Sequence, residues 1–455
     1  MESLLLKAPA VVRTAAANLV SWRLNRSRRE RTPAYAAGRD LIRRYHEEPW
    51  ELLQEEQTGK LARTLEQACA GVKLYAGRCV GGTQADARAM LADMAPVTKD
   101  EVRGAGDRAL DPNLSGENHH VARTSGSTGT PFTFRLTLEA LQIRFGLRDG
   151  FYALHGFDFR ELNLRLGGRL FLSTGKRWPP YWIRDYVANQ LLFSVYHISN
   201  ANMPAFVEAL EKYRPRWITG YPSAVYLIAK GCRALRSSYR PLGVFTDSET
   251  VLDPHREEVR NAWGCSIHDY YGMEVGWVAG QCKLGKYHLS PLTSVVELLD
   301  EEGRPVEPGQ LGELVVTDLT NPLMPLIRYR TGDMAVWSER PCPCGWNTPT
   351  LERIEGRRDD IVTLPDGRKI GRLDHILKTA TAIREAQLVQ EALDRFVLRL
   401  VPDVGYSEEV ERTILEEARM RLGTDVTIVI RPVPAIEKSA RGKHRSVVSK
   451  VGREA

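Results

Sequence analysis

What the chain lacks narrows it first. No apolar run approaches the about 18 residues that a membrane span needs, so no transmembrane helix is expected. Met1 to Val20 is apolar only in patches, interrupted by Lys7, Pro9 and Arg13 and followed by no cleavage signal, which points to a cytoplasmic protein. Cysteine is scarce. Seven occur in 455 residues, unevenly spaced and odd in number, a usage that fits reduced thiols better than a disulfide framework. A large charge of one sign is also missing: 63 basic against 57 acidic residues leave a net +6. Without a concentrated basic face, nucleic acid is not an expected partner. Neither an internal repeat nor a G-x-x-x-x-G-K-[ST] phosphate loop occurs.

With 43% hydrophobic and 26% charged residues the composition is that of a globular protein, and the length exceeds what one core accommodates. The most informative stretch is Thr124-Ser125-Gly126-Ser127-Thr128-Gly129-Thr130-Pro131. Its glycines let backbone N–H groups converge on an anion, and its hydroxyls add donors to phosphate oxygens. It lies between Val121-Ala122 and the β-prone Phe132-Thr133-Phe134, as the turn of a hairpin would, and such composition also suits an ordinary polar turn.

Along the chain, residues 10 to 32 outline a basic amphipathic helix, better placed on the main body than on a membrane. A helical pattern runs from Pro49 to about Met94, and Thr98 with Glu101 forms a capping box. Leu136 to Leu154 is helical, Arg169 to Ser173 a short strand, Met203 to Tyr213 a helix, and Trp217 to Ser223 a strand and turn. Another strand, Leu242 to Asp247, precedes a helix around Pro254 to Trp263, and Val295 to Val316 is an antiparallel hairpin. This alternation predicts an α/β fold with parallel pairing. Past Gly356 the texture changes: 373 to 400 and 406 to 422 are helical, Val426 to Arg431 is a strand, and the tail is basic. About one hundred residues suit a small α+β domain.

Five further stretches follow the opening loop: Thr246-Asp247-Ser248-Glu249, Asp269-Tyr270-Tyr271-Gly272-Met273-Glu274, Tyr329-Arg330-Thr331-Gly332-Asp333, Gly356-Arg357-Arg358-Asp359-Asp360 and Arg441-Gly442-Lys443-His444-Arg445. As an ordered suite over roughly residues 45 to 450 they resemble the adenylate-forming enzymes. The phrase from Gly312 through Met324-Pro325-Leu326-Ile327-Arg328 to Asp333 looks like the branch of phenylacetate–CoA ligase and its capsule-biosynthesis relatives.

That resemblance implies a large N-terminal domain over 1–355, of packed α/β sheets and a distorted β-barrel, with residues 1–45 as a basic helical extension. A small mobile C-terminal domain would cover 356–455. It implies ATP bound by Ser125, Gly126, Ser127, Thr128, Gly129, Thr130, Ser248, Glu249, Tyr270, Tyr271, Asp333 and Arg357. Asp333 would hold the ribose hydroxyls, and Tyr270 or Tyr271 would stack on adenine. Glu274 would help bind Mg²⁺, as hard carboxylate oxygens do. Relatives place two residues between glycine and glutamate there, whereas Met273 stands alone. Lys443 would be the mobile lysine that offsets the repulsion between carboxylate and α-phosphate, and Asp359 the hinge. His155 or its neighbours, Trp217, Gly220, Tyr221, Pro222, Ser248 and Tyr270 would wall an acyl pocket suited to a flat aryl acid or a branched aliphatic one.

The implied chemistry is activation of a small-molecule carboxylic acid to an acyl-adenylate, then transfer to coenzyme A. An amine acceptor and an inactive nucleotide-binding homologue stand as alternatives. Relatives are often dimers, so a homodimer is open. Finally, Cys282-x5-His288 and Cys342-Pro343-Cys344-Gly345 supply three thiolates and one imidazole, a set suited to structural Zn²⁺ or to reduced core cysteines. Of His119 and His120, adjacent on a strand, one is expected to be structural and the other to line the nucleotide or acyl pocket.

Overall fold

The computed structural model describes residues 32–451 apart from 80–86, 125–131, 159, 170, 173–175, 274, 358–361, 366–368, 371–381, 424, 438–444 and 446; before residue 32 it describes 12, 14–16, 18, 19 and 22. Within the amino-terminal extension, Asn18 accepts from the Tyr186 amide and donates to the Arg184 carbonyl, which places it on the main body.

Helix α1 (Pro33–Glu47) begins where the Thr32 hydroxyl accepts from the Tyr35 amide and Pro33 supplies the first turn. The pattern expected to run unbroken to Met94 is interrupted: α2 (Trp50–Gly71) ends at Val72, and helix resumes in α3 (Ala87–Asp93). Between them Cys69 and Cys79 form a disulfide, so the reading of the cysteines as reduced thiols is corrected for this pair. Its cause is local, because ten residues separate the two and a helix end brings their Cα atoms to 5.9 Å. Helix α4 (Lys99–Ala105) carries the expected capping box, with Glu101 accepting from the Thr98 amide at 2.8 Å and Thr98 from the Glu101 amide at 3.2 Å.

Strands β1 (His119–Thr124) and β2 (Phe132–Thr137) pair antiparallel in register Thr124 to Phe132, the hairpin stem expected around the hydroxyl-rich loop. Helix α5 (Leu138–Leu154) follows and lies against α1. The two backbones touch because Gly38 and Gly146 face each other's helix; a Cβ on Gly146 would sit 2.2 Å from the Tyr35 carbonyl oxygen.

The α/β part then unrolls as β3 (Asn163–Gly167), β4 (Trp182–Asp185), β5 (Gln190–Ser194), α6 (Met203–Tyr213), β6 (Trp217–Gly220), α7 (Pro222–Ala234), β7 (Gly243–Thr246), α8 (Asp253–Trp263) and β8 (Ile267–Met273). The strand expected at Arg169 to Ser173 is instead β3, which ends at Gly167. The antiparallel part comprises β9 (Gly276–Gln281), β10 (Tyr287–Leu289), β11 (Ser294–Leu299), β12 (Leu311–Asp318), β13 (Tyr329–Trp337) and β14 (Thr350–Arg357). All but the β1–β2 hairpin join one sheet of twelve strands in the order β11-β12-β13-β14-β10-β9-β8-β7-β6-β3-β5-β4. Strand β8 is the changeover. Its first half pairs parallel with β7, and its second half, from Tyr270, pairs antiparallel with β9.

The remaining elements are β15 (Val362–Thr363), β16 (Lys369–Ile370), β17 (Ile383–Ala392), β18 (Arg395–Pro402), α9 (Glu408–Leu422), β19 (Thr427–Pro432) and β20 (Val447–Ser449). β15 and β16 pair with each other in a two-stranded sheet, and β17 to β20 form a separate four-stranded sheet, β19-β18-β17-β20, around a core of Leu388, Phe396, Leu398, Leu400, Ile414 and Ala418. The helix expected over 373–400 is corrected across its described part: 383 to 402 is an antiparallel hairpin. Ala, Glu, Gln and Leu favoured helix locally, but Phe396, Leu398 and Leu400 are buried in one core with α9, Val397 and Val401 are buried on the other face of the strand, and cross-strand packing overrides the weaker propensity. This sheet meets α7 through Lys230, whose Nζ donates to the Ile383 carbonyl at 3.1 Å and to Asp403 Oδ2 at 3.2 Å.

Candidate nucleotide and acyl site at the strand carboxyl ends

In an open α/β sheet, ligand-binding groups gather beyond the carboxyl ends of the strands, where one chain segment gives way to the next. Here β3, β6 and β7 end together beside the changeover within β8, since Thr219 pairs with Arg165 and with Phe245, and Thr246 with Gly220 and Asp269. Gly220 closes β6 with φ +153°, and a Cβ there would lie 2.1 Å from the Leu166 carbonyl oxygen; only glycine lets these strand ends approach so closely. Tyr221 and Pro222 then open α7, whose free Ser223 amide donates to Glu249 Oε2 at 3.1 Å.

After β7, Ser248 adopts a left-handed φ of +72°, and its Oγ donates to Asp247 Oδ1 at 2.7 Å. Asp247 also takes Arg165 Nη1 at 3.0 Å and the Tyr270 hydroxyl at 3.4 Å. One residue on, Tyr271 projects to the other face of β8 and donates to Asp333 Oδ2 at 2.5 Å. Asp333 lies on β13 opposite Arg357 of β14, and Gly332 before it has φ +75°. The stem of the hydroxyl-rich loop reaches the same strand, because Phe132 stacks on Tyr329 at 6.4 Å.

Beneath the edge, the Asp269 carboxyl accepts from the hydroxyls of Thr246 and Tyr287, yet burial pushes it up to about 7. Tyr270 stacks on Trp277 at 4.5 Å and 10°, and Phe151 and Tyr152 meet Tyr270 edge-on. His155 and His268 lie 3.8 Å apart behind these rings, and burial pushes them down to about 4 and about 3, so both are neutral at pH 7.

The second cluster abuts this aromatic core. Cys282 follows β9, His288 is on β10, and Cys342 and Cys344 come from the loop before β14. Their ligand atoms all lie within 4.8 Å of one another. Cys282 Sγ is 3.8 Å from Cys342 Sγ, and Cys344 Sγ is 3.1 Å from His288 Nε2. Tetrahedral zinc with Zn–S near 2.3 Å separates two sulfurs by about 3.8 Å, so the set fits that ion. Burial pushes His288 down to about 4, leaving the neutral imidazole that ligates, with Nδ1 3.3 Å from Thr348 Oγ1. The loop is tied to α1, since the Asn347 side chain donates to the carbonyls of His46 and Glu48.

The chain matches the CapK C-terminal domain family over residues 362–450. It is 24% identical over 370 residues to Protein CapK of Staphylococcus aureus, covering 78% of this chain and 79% of that one. Over most of its length the chain is thus similar to CapK, and its C-terminal part matches the domain family named for that protein. A phenylacetate-coenzyme A ligase of Escherichia coli is 27% identical over 342 residues, covering 69% and 72% of the two chains. The fold of 2-hydroxyisobutyryl-CoA ligase in the postadenylation state matches with a TM-score of 0.70 at 19% identity, covering 90% of this chain and 92% of that one.

In this CapK-like fold the strand ends bring together Gly220, Tyr221, Pro222, Ser248, Glu249, Tyr270, Tyr271, Asp333 and the backbone of Arg357. Trp217 lies at the opposite end of β6, packed on Phe157 and Phe245 and donating to Glu161. On β1, His119 Nδ1 donates to the carbonyl of Glu117, which precedes the strand. Ser125 to Thr130, Glu274, Asp359 and Lys443 lie outside the described residues. Arg165 escaped the sequence reading, and its signal was one charge between the apolar Leu164 and Leu166 of the strand Asn163-Leu164-Arg165-Leu166-Gly167.

Proposed function

We propose that the chain is an AMP-forming acid–thiol ligase. A carboxylate attacks the α-phosphate of MgATP and releases pyrophosphate; the acyl-adenylate then passes its acyl group to coenzyme A with loss of AMP. The observation that carries this reading is the placement of Asp333, tethered to Tyr271, on one side of β8 and the Asp247–Glu249 loop with Tyr270 on the other. A carboxylate suits the ribose diol, and the aromatic wall suits an aryl acid. Homology to a phenylacetate-coenzyme A ligase supports the same reaction class.

In this reading the loop 125–130 cradles phosphate, Glu274 supplies a magnesium ligand, and Arg357 contacts ribose or phosphate. Lys443 stabilises the charge that develops during adenylation, acting from a C-terminal domain that begins near Gly356 and swings about Asp359. Magnesium, when bound, screens the phosphate oxygens. Zinc held by Cys282, His288, Cys342 and Cys344 is structural, pinning α1 and the aromatic core beneath Tyr270.

The test is pyrophosphate release from MgATP across aryl, hydroxyaryl and fatty acids, with and without coenzyme A and with products weighed by mass spectrometry. Acid-dependent release that yields acyl-CoA is expected. Release that yields only adenylate moves the acceptor to an amine. No release from protein that still binds ATP would indicate an inactive homologue, as the short Tyr271-Gly272-Met273-Glu274 spacing allows.

A further inference from the structure

Arg165 is placed where a parallel sheet normally carries only apolar side chains. Its neighbours Leu164 and Leu166 are fully buried, and its strand ends two residues later beside Gly220 and Tyr221. The guanidinium lies along the end of β3, where a Cβ on Gly167 would come 3.1 Å from Arg165 Nε.

Among the described residues only one of its donors is engaged. Nη1 bonds Asp247 Oδ2 at 3.0 Å, while Nε and Nη2 make no hydrogen bond among the described residues and the side chain is 33% exposed. A guanidinium serving as a structural ion pair presents its fork to both carboxylate oxygens. Here Asp247 Oδ1 takes Ser248, and Oδ2 is shared between Arg165 and Tyr270. Burial alone would lower Arg165, but Asp247 and then Tyr152 and Tyr270 outweigh it, and the group stays charged. Asp247 balances that charge, so the spare donors call for an oxygen acceptor rather than for a full countercharge. The surrounding wall of Tyr152, Tyr270 and Tyr221 is aromatic with hydroxyl tips.

We infer that Arg165 selects carboxylic acids bearing a second oxygen acceptor, a hydroxyl or carboxylate remote from the activated group, over plain hydrocarbon acids. This rests on the acid-activating reading above and narrows its substrate class.

The test uses the full chain and matched acids: phenylacetate against 4-hydroxyphenylacetate and 4-carboxyphenylacetate, and hexanoate against adipate. Binding is measured by calorimetry in the wild type, Arg165→Met and Arg165→Lys, with pyrophosphate release followed in parallel. In the wild type the acceptor-bearing acid of at least one pair should bind about 10- to 100-fold tighter, the worth of a charge-assisted hydrogen bond. Arg165→Met should bring that ratio close to one. Arg165→Lys, which keeps the charge and loses the fork, should lose most of it and serves if the methionine variant does not fold. Whether the hydroxyl or the carboxylate partner gains more identifies the acceptor. Equal binding within every pair, no binding by any acid, or a ratio unchanged in the variants overturns the inference. Pyrophosphate release without discrimination would sink this inference alone, and discrimination in binding without release would sink the ligase reading alone.

Discussion

Arg328 offers the sharpest test of how the strand that carries Asp333 is held in place. Its backbone has a left-handed φ of +46°, and its side chain is only 6% exposed. Nε and Nη2 clamp Glu297 at 3.0 and 2.8 Å, and Nη1 donates to the carbonyls of Ala92 and Met94 at 2.7 and 2.5 Å. One side chain thus joins β11, the segment after α3 and the entry to β13, five residues before Asp333. Arg328→Met would strand the Glu297 carboxylate and two backbone carbonyls. Breaking a buried pair from one side costs about 3–5 kcal/mol. The 20% exposure of Glu297 lets water reach it, so the low end, about 3 kcal/mol, is expected. The double variant Arg328→Met/Glu297→Met removes the stranded charge and should be less destabilised than the sum of the singles by about 1 kcal/mol or more. Because the chain holds more than one core, the quantity to compare is the denaturant transition that carries the tryptophan signal. A single-variant loss below about 1 kcal/mol, or additivity within about 0.5 kcal/mol, would refute the argument.

Further outcomes follow from other sites. Lys443→Ala should abolish acyl-adenylate formation while sparing thioester formation from a supplied adenylate; normal adenylation would remove the lysine from its role. Protein purified without chelator should carry one zinc per chain by metal analysis, and Cys344→Ser should lose both the metal and thermal stability. Well under one zinc in the parent chain argues for reduced core cysteines instead. Glu101, bonded by Arg78 and then by the Thr98 amide, is held down at about 2 against an ordinary 4.5. Its depressed folded value means that its contribution is complete above about 4.5 and is lost as pH falls towards 2. Exposure keeps this contribution below about 1 kcal/mol. Melts between pH 6 and 3 should therefore show a shallower acid loss in Arg78→Ala.

Local signals were legible where periodicity and capping agreed. Met203 to Tyr213 reads as helix from its apolar spacing, and Thr98 with Glu101 reads as a capping box because both partners lie within one turn. The β1–β2 stem and the β11–β12 hairpin were legible for the same reason. The β17–β18 hairpin was not, since Glu, Gln and Ala are good helix formers and only α9, packed across the sheet, decides against them. The pairing of Cys69 with Cys79 was hidden by a count that treats all seven cysteines alike. At the candidate site the motif residues were visible, but Arg165 was not. Its partner Asp247 is 82 positions away, and no spacing rule joins them.

Strand β8 acts as a partition between two rooms. Tyr270 hangs on one side, over the aromatic floor, and Tyr271 on the other, against Asp333. Because consecutive strand residues face opposite ways, a slip of one position would put each ring in the other's room. The irregular pairing between Tyr271 and Gly272 falls just past both rings. A shortened turn is therefore accommodated there without exchanging them, whereas the same deletion one step earlier would hang the Tyr270 ring on the Asp333 side.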